Sequence, residues 1–308
     1  MQKGIFNSMS PLLQILLILA IAGVSMIVFS ILGFLILIPF YGFNEIFSAF
    51  SSNDAAMLRF FQILQSFAVF VVPSVIAAYL FSKKPAHYLG FESPNKILII
   101  LALVSFIGCP PMISFLAQIN DSMVFPEFLK SLEYKMRLTE NITNELIYKF
   151  LDTNNLLIIT INIFMMVILP AFGEELLFRG TLQPLIGRIF KNDHVAVWLT
   201  AFIFSAIHFQ FLTFLPRFVL GAMLGYLFIY GKSIWYPIAG HLLNNLFSII
   251  VFYYYRYTQP DINPLDTHGD EFGTLMIIAS FINVVLFIYL FKKFSDKYKK
   301  TVQTRLPG

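Results

Sequence analysis

Three stretches of this chain place polar or charged side chains inside otherwise apolar runs. The first is Pro170-Ala-Phe-Gly-Glu174-Glu175-Leu-Leu-Phe-Arg179-Gly180, which follows the apolar run from Leu156 to Leu169. The second is Phe204-Ser-Ala-Ile-His208, and the third is His241-Leu-Leu-Asn-Asn245. A charge at the centre of a bilayer costs about 2.5–3.5 kcal/mol on insertion scales, so such groups tend to line a cavity and serve chemistry. The residue types are those of acid–base work: carboxylates and imidazoles that move protons, and Asn and His donors suited to a developing oxyanion.

Spacing separates their roles. On a helix Glu175 and Arg179 are i,i+4 neighbours and can neutralise each other as a structural lock. Glu174 points about 100° away and is expected to be the carboxylate left to face a cavity. Pro170 and Gly173 are expected to kink this helix and release backbone groups. Across the polar turn Lys191-Asn-Asp-His194, Glu174 and His208 stand at heights that differ by about 5 Å at 1.5 Å per residue, so they can meet. His241 and Asn245, again i,i+4, project from one face of a later helix, with Gly240 admitting a close neighbour. His87, His194 and His268 fall in polar loops. A general base needs a pKa near working pH, and an apolar cavity raises that of a carboxylic acid.

The elements that carry these residues belong in a membrane. The chain has 308 residues, 58% hydrophobic and only 12% charged, with a mean hydropathy of +0.76. Soluble chains carry about 25% charged residues. The net charge of +4 is assigned to membrane edges rather than to nucleic acid. Cys109, alone of its type, has no intrachain disulfide partner and reads as an inert packing residue. The run from Pro11 to Phe40 exceeds the 7–15 residues of a signal-peptide core and is read as a retained helix.

A span takes about 20 apolar residues, which gives eight candidates at about 11–40, 60–81, 97–117, 154–178, 195–213, 217–231, 237–256 and 273–291. The expected fold is an all-α polytopic membrane helix bundle of about eight transmembrane helices, a single integral-membrane domain over 1–308 with its catalytic core at about 154–256. With the N-terminus inside, Lys3, Lys83, Lys84, Lys96, Arg188, Lys191, Lys232 and the tail residues Lys292, Lys293, Lys297, Lys299, Lys300 and Arg305 are cytoplasmic. Those thirteen outweigh the seven on the other side, Arg59, Lys130, Lys135, Arg137, Lys149, Arg217 and Arg256, so both termini are expected in the cytoplasm. Tyr253–Tyr255 and Tyr257 mark one interface and Trp235-Tyr236 the other. Gly221-Ala-Met-Leu-Gly225 is a GxxxG pattern that allows close helix approach. Pro126–Leu151, with Phe128, Leu129, Leu132, Met136, Leu146, Ile147 and Phe150 at roughly helical spacing, reads as an amphipathic helix on the membrane surface or as a solvated connector.

Glu174-Glu175-x-x-x-Arg179, Phe204-x-x-x-His208 and His241-x-x-x-Asn245, in this order on successive helices, resemble the CPBP family. That family holds the CAAX prenyl endopeptidases, Abi-type intramembrane proteases and bacteriocin-immunity proteins. The resemblance implies that Glu174 and His208 activate a water, that His241 and Asn245 hold the oxyanion on the scissile carbonyl, and that Glu175 and Arg179 support the site. The family is often labelled metalloprotease, and Glu174, His208 and His241 could serve as ligands to a divalent metal such as zinc. There is no HExxH, and water activated by Glu and His needs no metal. The site closes only if residues about 181–197 project past the membrane, with the cavity open to the cytoplasmic side and laterally to lipid.

The function expected is an intramembrane endopeptidase in the plasma (inner) membrane, acting on a peptide or membrane-protein substrate near or within the bilayer. A catalytically silent immunity or scaffold protein is the first rival. A proton-coupled transporter is the second, although the repeated halves common in transporters are not seen.

Overall fold

Five helix starts here are marked by a side chain that accepts the first unpaired backbone N–H groups. Ser10 accepts from Leu13, Asp54 from Met57, and Asn95 from Ile97; Asn155 and Asn192 each accept from two N–H groups. The computed structural model describes residues 5–6, 8–43, 45–46, 48, 54–259, 261, 263, 265 and 272–305. Lys3 and His268, and the side chains of Lys299, Lys300 and Arg305, lie outside the described residues. Among the described residues every regular element is helical.

The chain divides into two compact units, residues 1–90 with 147–191, and residues 91–146 with 192–308. The first unit is built on α1 (Pro11–Tyr41), α2 (Ala55–Phe81) and α6 (Leu156–Phe190). The second holds α3 (Lys96–Ile107), α4 (Pro110–Asp121), α7 (Asp193–Ala206), α8 (Phe214–Gly231), α9 (Trp235–Thr258) and α10 (Thr274–Arg305). The helix α5 (Lys130–Leu151) carries the chain from the second unit back to the first.

Helices occupy all eight expected spans, though not all are long and apolar enough to be singled out as spans by those properties alone. Among the described residues five are long and apolar enough, namely α1, α2, α6, α8 and α10 as far as Tyr298. A sixth span arises if α3 and α4 count as one, bent by 45° between them. Pro110 and Pro111 force that break. Its exposed backbone groups are met from α10, where the Ser280 hydroxyl donates to the Gly108 carbonyl at 2.5 Å and accepts from Met112 N–H at 3.1 Å. A broken helix survives at membrane depth only when such groups find partners in protein. α7 is short at 14 residues. α9 has the length, 24 residues, but His241, Asn244, Asn245 and Ser248 dilute its apolar character.

α6 answers the proline question differently from the expected kink. It runs unbroken for 35 residues, with π-helical turns at Phe164–Ile168 and Phe178–Leu182. A third π turn, Phe67–Val71, lies in α2. Each begins with Phe and is followed two residues later by a proline: Pro73, Pro170 and Pro184. A proline lacks its N–H and collides with the carbonyl four residues back. A wider turn just ahead, bonded five residues apart, accommodates both problems without a break.

At 1.5 Å per residue α6 is about 52 Å long, against about 30 Å of hydrocarbon. Even at a tilt of 40° it covers about 40 Å, so one end stands clear of the bilayer core. This is the length that the expected projection beyond residue 181 requires.

Candidate active site

The first motif lies in the middle of α6. Glu174 is 8% exposed, while Glu175 and Arg179 are fully buried. Arg179 Nη1 donates to Glu175 Oε1 at 2.7 Å, the lock expected from the i,i+4 spacing. Glu174, expected to be the carboxylate facing a cavity, is not without an interaction of its own. Arg179 sits inside the second π turn, next to Phe178, whose ring lies 6.0 Å from the guanidinium carbon. The turn leaves the Leu176 carbonyl to the Thr181 hydroxyl, which donates to it at 2.6 Å. Gly173 lets the carboxylate-bearing segment rest on α2: a Cβ there would come within 3.0 Å of Phe70 Cβ.

The second and third motifs lie in the second unit. His208 is not within a helix, as its apolar setting suggested. α7 ends at Ala206, and His208 lies in the turn that follows. The cause is local. His208 Nδ1 lies 2.7 Å from the Phe204 carbonyl, His208 N–H bonds to Ser205, and Phe209 adopts a left-handed φ of 53°. A carbonyl only accepts, so Nδ1 carries the proton, and in the neutral ring Nε2 then keeps its lone pair.

His241 is 6% exposed near the start of α9. Phe204 links the two imidazoles, its ring centre 5.1 Å from that of His208 and 6.1 Å from that of His241. Asn245 lies one turn further along α9, and its side-chain oxygen accepts from Asn244 Nδ2 at 3.3 Å. That contact occupies the oxygen and leaves the Asn245 NH2 as the donating end. Gly240 packs under Phe106, where a Cβ would come within 2.6 Å of the ring. Gly221 of the GxxxG pattern sits 3.3 Å, by the same measure, from the Ala201 backbone, so close approach of α7 and α8 is real. Cys109 is buried and its thiol donates to the Ser105 carbonyl, as an inert packing residue would.

Sequence reasoning missed three residues that hold the His208 turn. Asn120 of α4 accepts from Leu215 N–H at 2.7 Å and donates to the Phe211 carbonyl at 2.6 Å. Arg217 Nη2 donates to Gln210 Oε1 at 2.7 Å and to Thr213 Oγ1 at 3.1 Å. Glu140 of α5, 3% exposed, accepts from Leu212 N–H at 2.8 Å and from the Thr213 hydroxyl at 3.3 Å. Glu140 and Asn120 stand 72 and 91 positions from Leu212 and Phe211, beyond any periodicity argument, whereas Arg217 is local to the turn.

α5 itself forms, and the face it turns inward is mixed: Met136, Leu146, Ile147 and Phe150 are partly or fully buried as expected, but so are Glu133, Arg137, Glu140, Thr143 and Asn144, while Leu132, Leu138 and Ile142 are exposed. Among the described residues no three His, Cys, Asp or Glu side chains are gathered closely enough to hold a metal ion.

Residues 156–247 match the family described as type II CAAX prenyl endopeptidase, Rce1-like. The chain is also 29% identical over 86 residues to the uncharacterized protein YpbD of Bacillus subtilis (strain 168), a stretch covering 27% of this chain and 41% of that protein. No solved structure matches the chain. The matched segment, less than half of the chain, contains Glu174, Glu175, Arg179, His208, His241 and Asn245, and over it this all-helical membrane protein is similar to the CAAX prenyl endopeptidases.

Proposed function

We propose that this protein is an intramembrane endopeptidase that cuts a peptide bond of a membrane-associated substrate near or within the bilayer. The observation that carries this reading is the family match over residues 156–247, which contains the ordered set from Glu174 to Asn245. Glu174 is the general base, and His208 helps to hold the attacking water through Nε2. Nδ1 of that imidazole is occupied by the Phe204 carbonyl, which supports this orientation.

Glu174 takes a proton as the water oxygen bonds to the scissile carbonyl carbon. The carbonyl oxygen becomes an oxyanion, and His241 and the Asn245 NH2 donate to it. Collapse of the tetrahedral species breaks the C–N bond, and the proton on Glu174 passes to the departing amine. Glu175 and Arg179 take no part in bond making; as a buried, neutral pair they fix the helix that presents Glu174. Preorganised donors in a water-poor site are worth more than in water, which suits hydrolysis at membrane depth. The protein acts as a single membrane domain with its core at about 154–256, in the plasma membrane, with both termini in the cytoplasm.

The test compares proteomes of membranes carrying wild-type and Glu174→Ala protein. A cleavage product present only with the wild type supports the reading and identifies the substrate. Proteoliposomes given an internally quenched peptide with a prenylated CAAX terminus, beside its unprenylated twin, then show whether the lipid is required. A Glu174→Ala protein that yields the same products as wild type would overturn the proposal.

A further inference from the structure

We propose that Glu140, on the mixed-charge helix α5, is a positioning residue for His208. The inference rests on the reading of His208 as a catalytic imidazole, but its geometry lies wholly within the second unit.

His208 sits in a turn, residues 207–213, that no helix stabilises. A turn of this kind owes its shape to whatever receives its backbone groups. Besides the local Arg217, two residues distant in sequence do so here. Asn120 holds the Phe211 carbonyl and the Leu215 N–H, fixing the far end of the turn. Glu140 accepts at both carboxyl oxygens, from the Leu212 N–H and the Thr213 hydroxyl, and so fixes its middle. Thr213 in turn accepts from Arg217, so the carboxyl and the guanidinium are joined through one hydroxyl.

Glu140 is 3% exposed on a helix that is otherwise largely exposed. A buried carboxyl costs free energy unless its hydrogen bonds are made, and both of those seen here end on this turn. Four residues separate Leu212 from His208, and Phe209 between them already holds the left-handed conformation. Without the pull of Glu140 the turn loses the reason to keep that conformation, and His208 loses its bond to the Phe204 carbonyl.

Two measurements on the full-length protein in lipid nanodiscs test this without a substrate. Hydrogen exchange reads the Leu212 amide. Nitrogen NMR of labelled histidine, with His208 assigned by its loss in His208→Gln, reads the protonated Nδ1. In Glu140→Ala the Leu212 amide should exchange at least about tenfold faster, as an opened turn does, and the two ring tautomers of His208 should mix. Glu140→Gln keeps one acceptor oxygen and should fall between. Thr213→Val removes one arm and reads the same quantities should Glu140→Ala fail to accumulate.

On the cleaved substrate, kcat should drop up to about 10²-fold with KM held, the usual result of a displaced catalytic group. Wild-type exchange at Leu212 together with an unmixed His208 tautomer in Glu140→Ala would overturn the proposal. Should His208→Ala cleave at the wild-type rate, the catalytic reading fails, and the exchange and tautomer results still decide whether Glu140 sets the pose of His208.

Discussion

Glu175 and Arg179 meet at 2.7 Å with neither side chain exposed at all, one helical turn apart in the middle of a 35-residue apolar helix. Removing one partner of a buried pair leaves a charge with nothing to balance it, at about 3–5 kcal/mol. Glu175→Gln and Arg179→Leu should therefore lower both folded yield and the thermal midpoint in detergent more than Glu174→Gln does. Equal midpoints for the three variants would remove the lock from the account.

The lock was legible because it depends on spacing four residues apart and nothing else. The capping contacts of Ser10, Asp54, Asn155 and Asn192 are equally local, within three residues of each cap. The end of α7 was not legible in this way. An apolar run to Phe214 looks like more helix, and only the capture of the Phe204 carbonyl by His208 and the distant acceptor Glu140 stop it. The π turns had a signal, a proline six residues after Phe67, Phe164 and Phe178, but reading it requires knowing that a helix can widen instead of kink. Length and composition alone single out fewer spans than eight among the described residues because α7 is short and α9 is polar, and hydropathy along a sequence does not separate lipid-facing from protein-facing length.

Orientation follows from charge. Basic residues collect on the cytoplasmic side, and the thirteen-to-seven division predicts a cytoplasmic C-terminus. A reporter fused after Gly308 should be active only in its cytoplasmic form. An external signal would reverse the assignment and put the opening of the catalytic cavity on the opposite side.

α5 should respond to acid. Arg137 donates to Glu133, and this bond, with help from the Phe125 N–H and Lys130, holds the Glu133 carboxyl below its ordinary value of 4.5. A lowered carboxyl pKa means the stabilisation is complete above the ordinary value and vanishes as pH falls through the lowered one. Amides around Glu133–Arg137 should lose protection below about pH 4.5, the unfolded carboxyl range. Glu133→Gln should show that reduced protection already at pH 7 and change little on acidification. Parallel profiles for the two proteins would sink the claim.

Gly240 should be intolerant for a reason that can be reversed. A Cβ there would sit 2.6 Å from the far end of the Phe106 ring, so Gly240→Ala must push the ring or the backbone beside His241. Overpacking of this kind costs about 1–3 kcal/mol. Phe106→Leu opens the space, so the double variant should recover much of the stability and activity that Gly240→Ala loses. Strictly additive losses in the thermal midpoint would show that the two residues are not coupled.

The proposed roles predict graded losses rather than uniform ones. Glu174→Gln and His208→Ala should each abolish cleavage, because without an activated water there is no nucleophile. Asn245→Ala should leave a measurable rate, since one oxyanion donor is worth about 10²–10³ in kcat and His241 would still donate. The same series bears on metal. An oxyanion-donor role for His241 predicts that activity survives chelators and that the purified protein carries no stoichiometric metal. A ligand role predicts instead that His241→Ala loses bound metal together with activity, and that chelators silence the wild type. Single-turnover rates on the product-yielding substrate, with metal analysis of each variant, separate the two. Full-strength cleavage by Glu174→Gln would overturn the mechanism under either outcome.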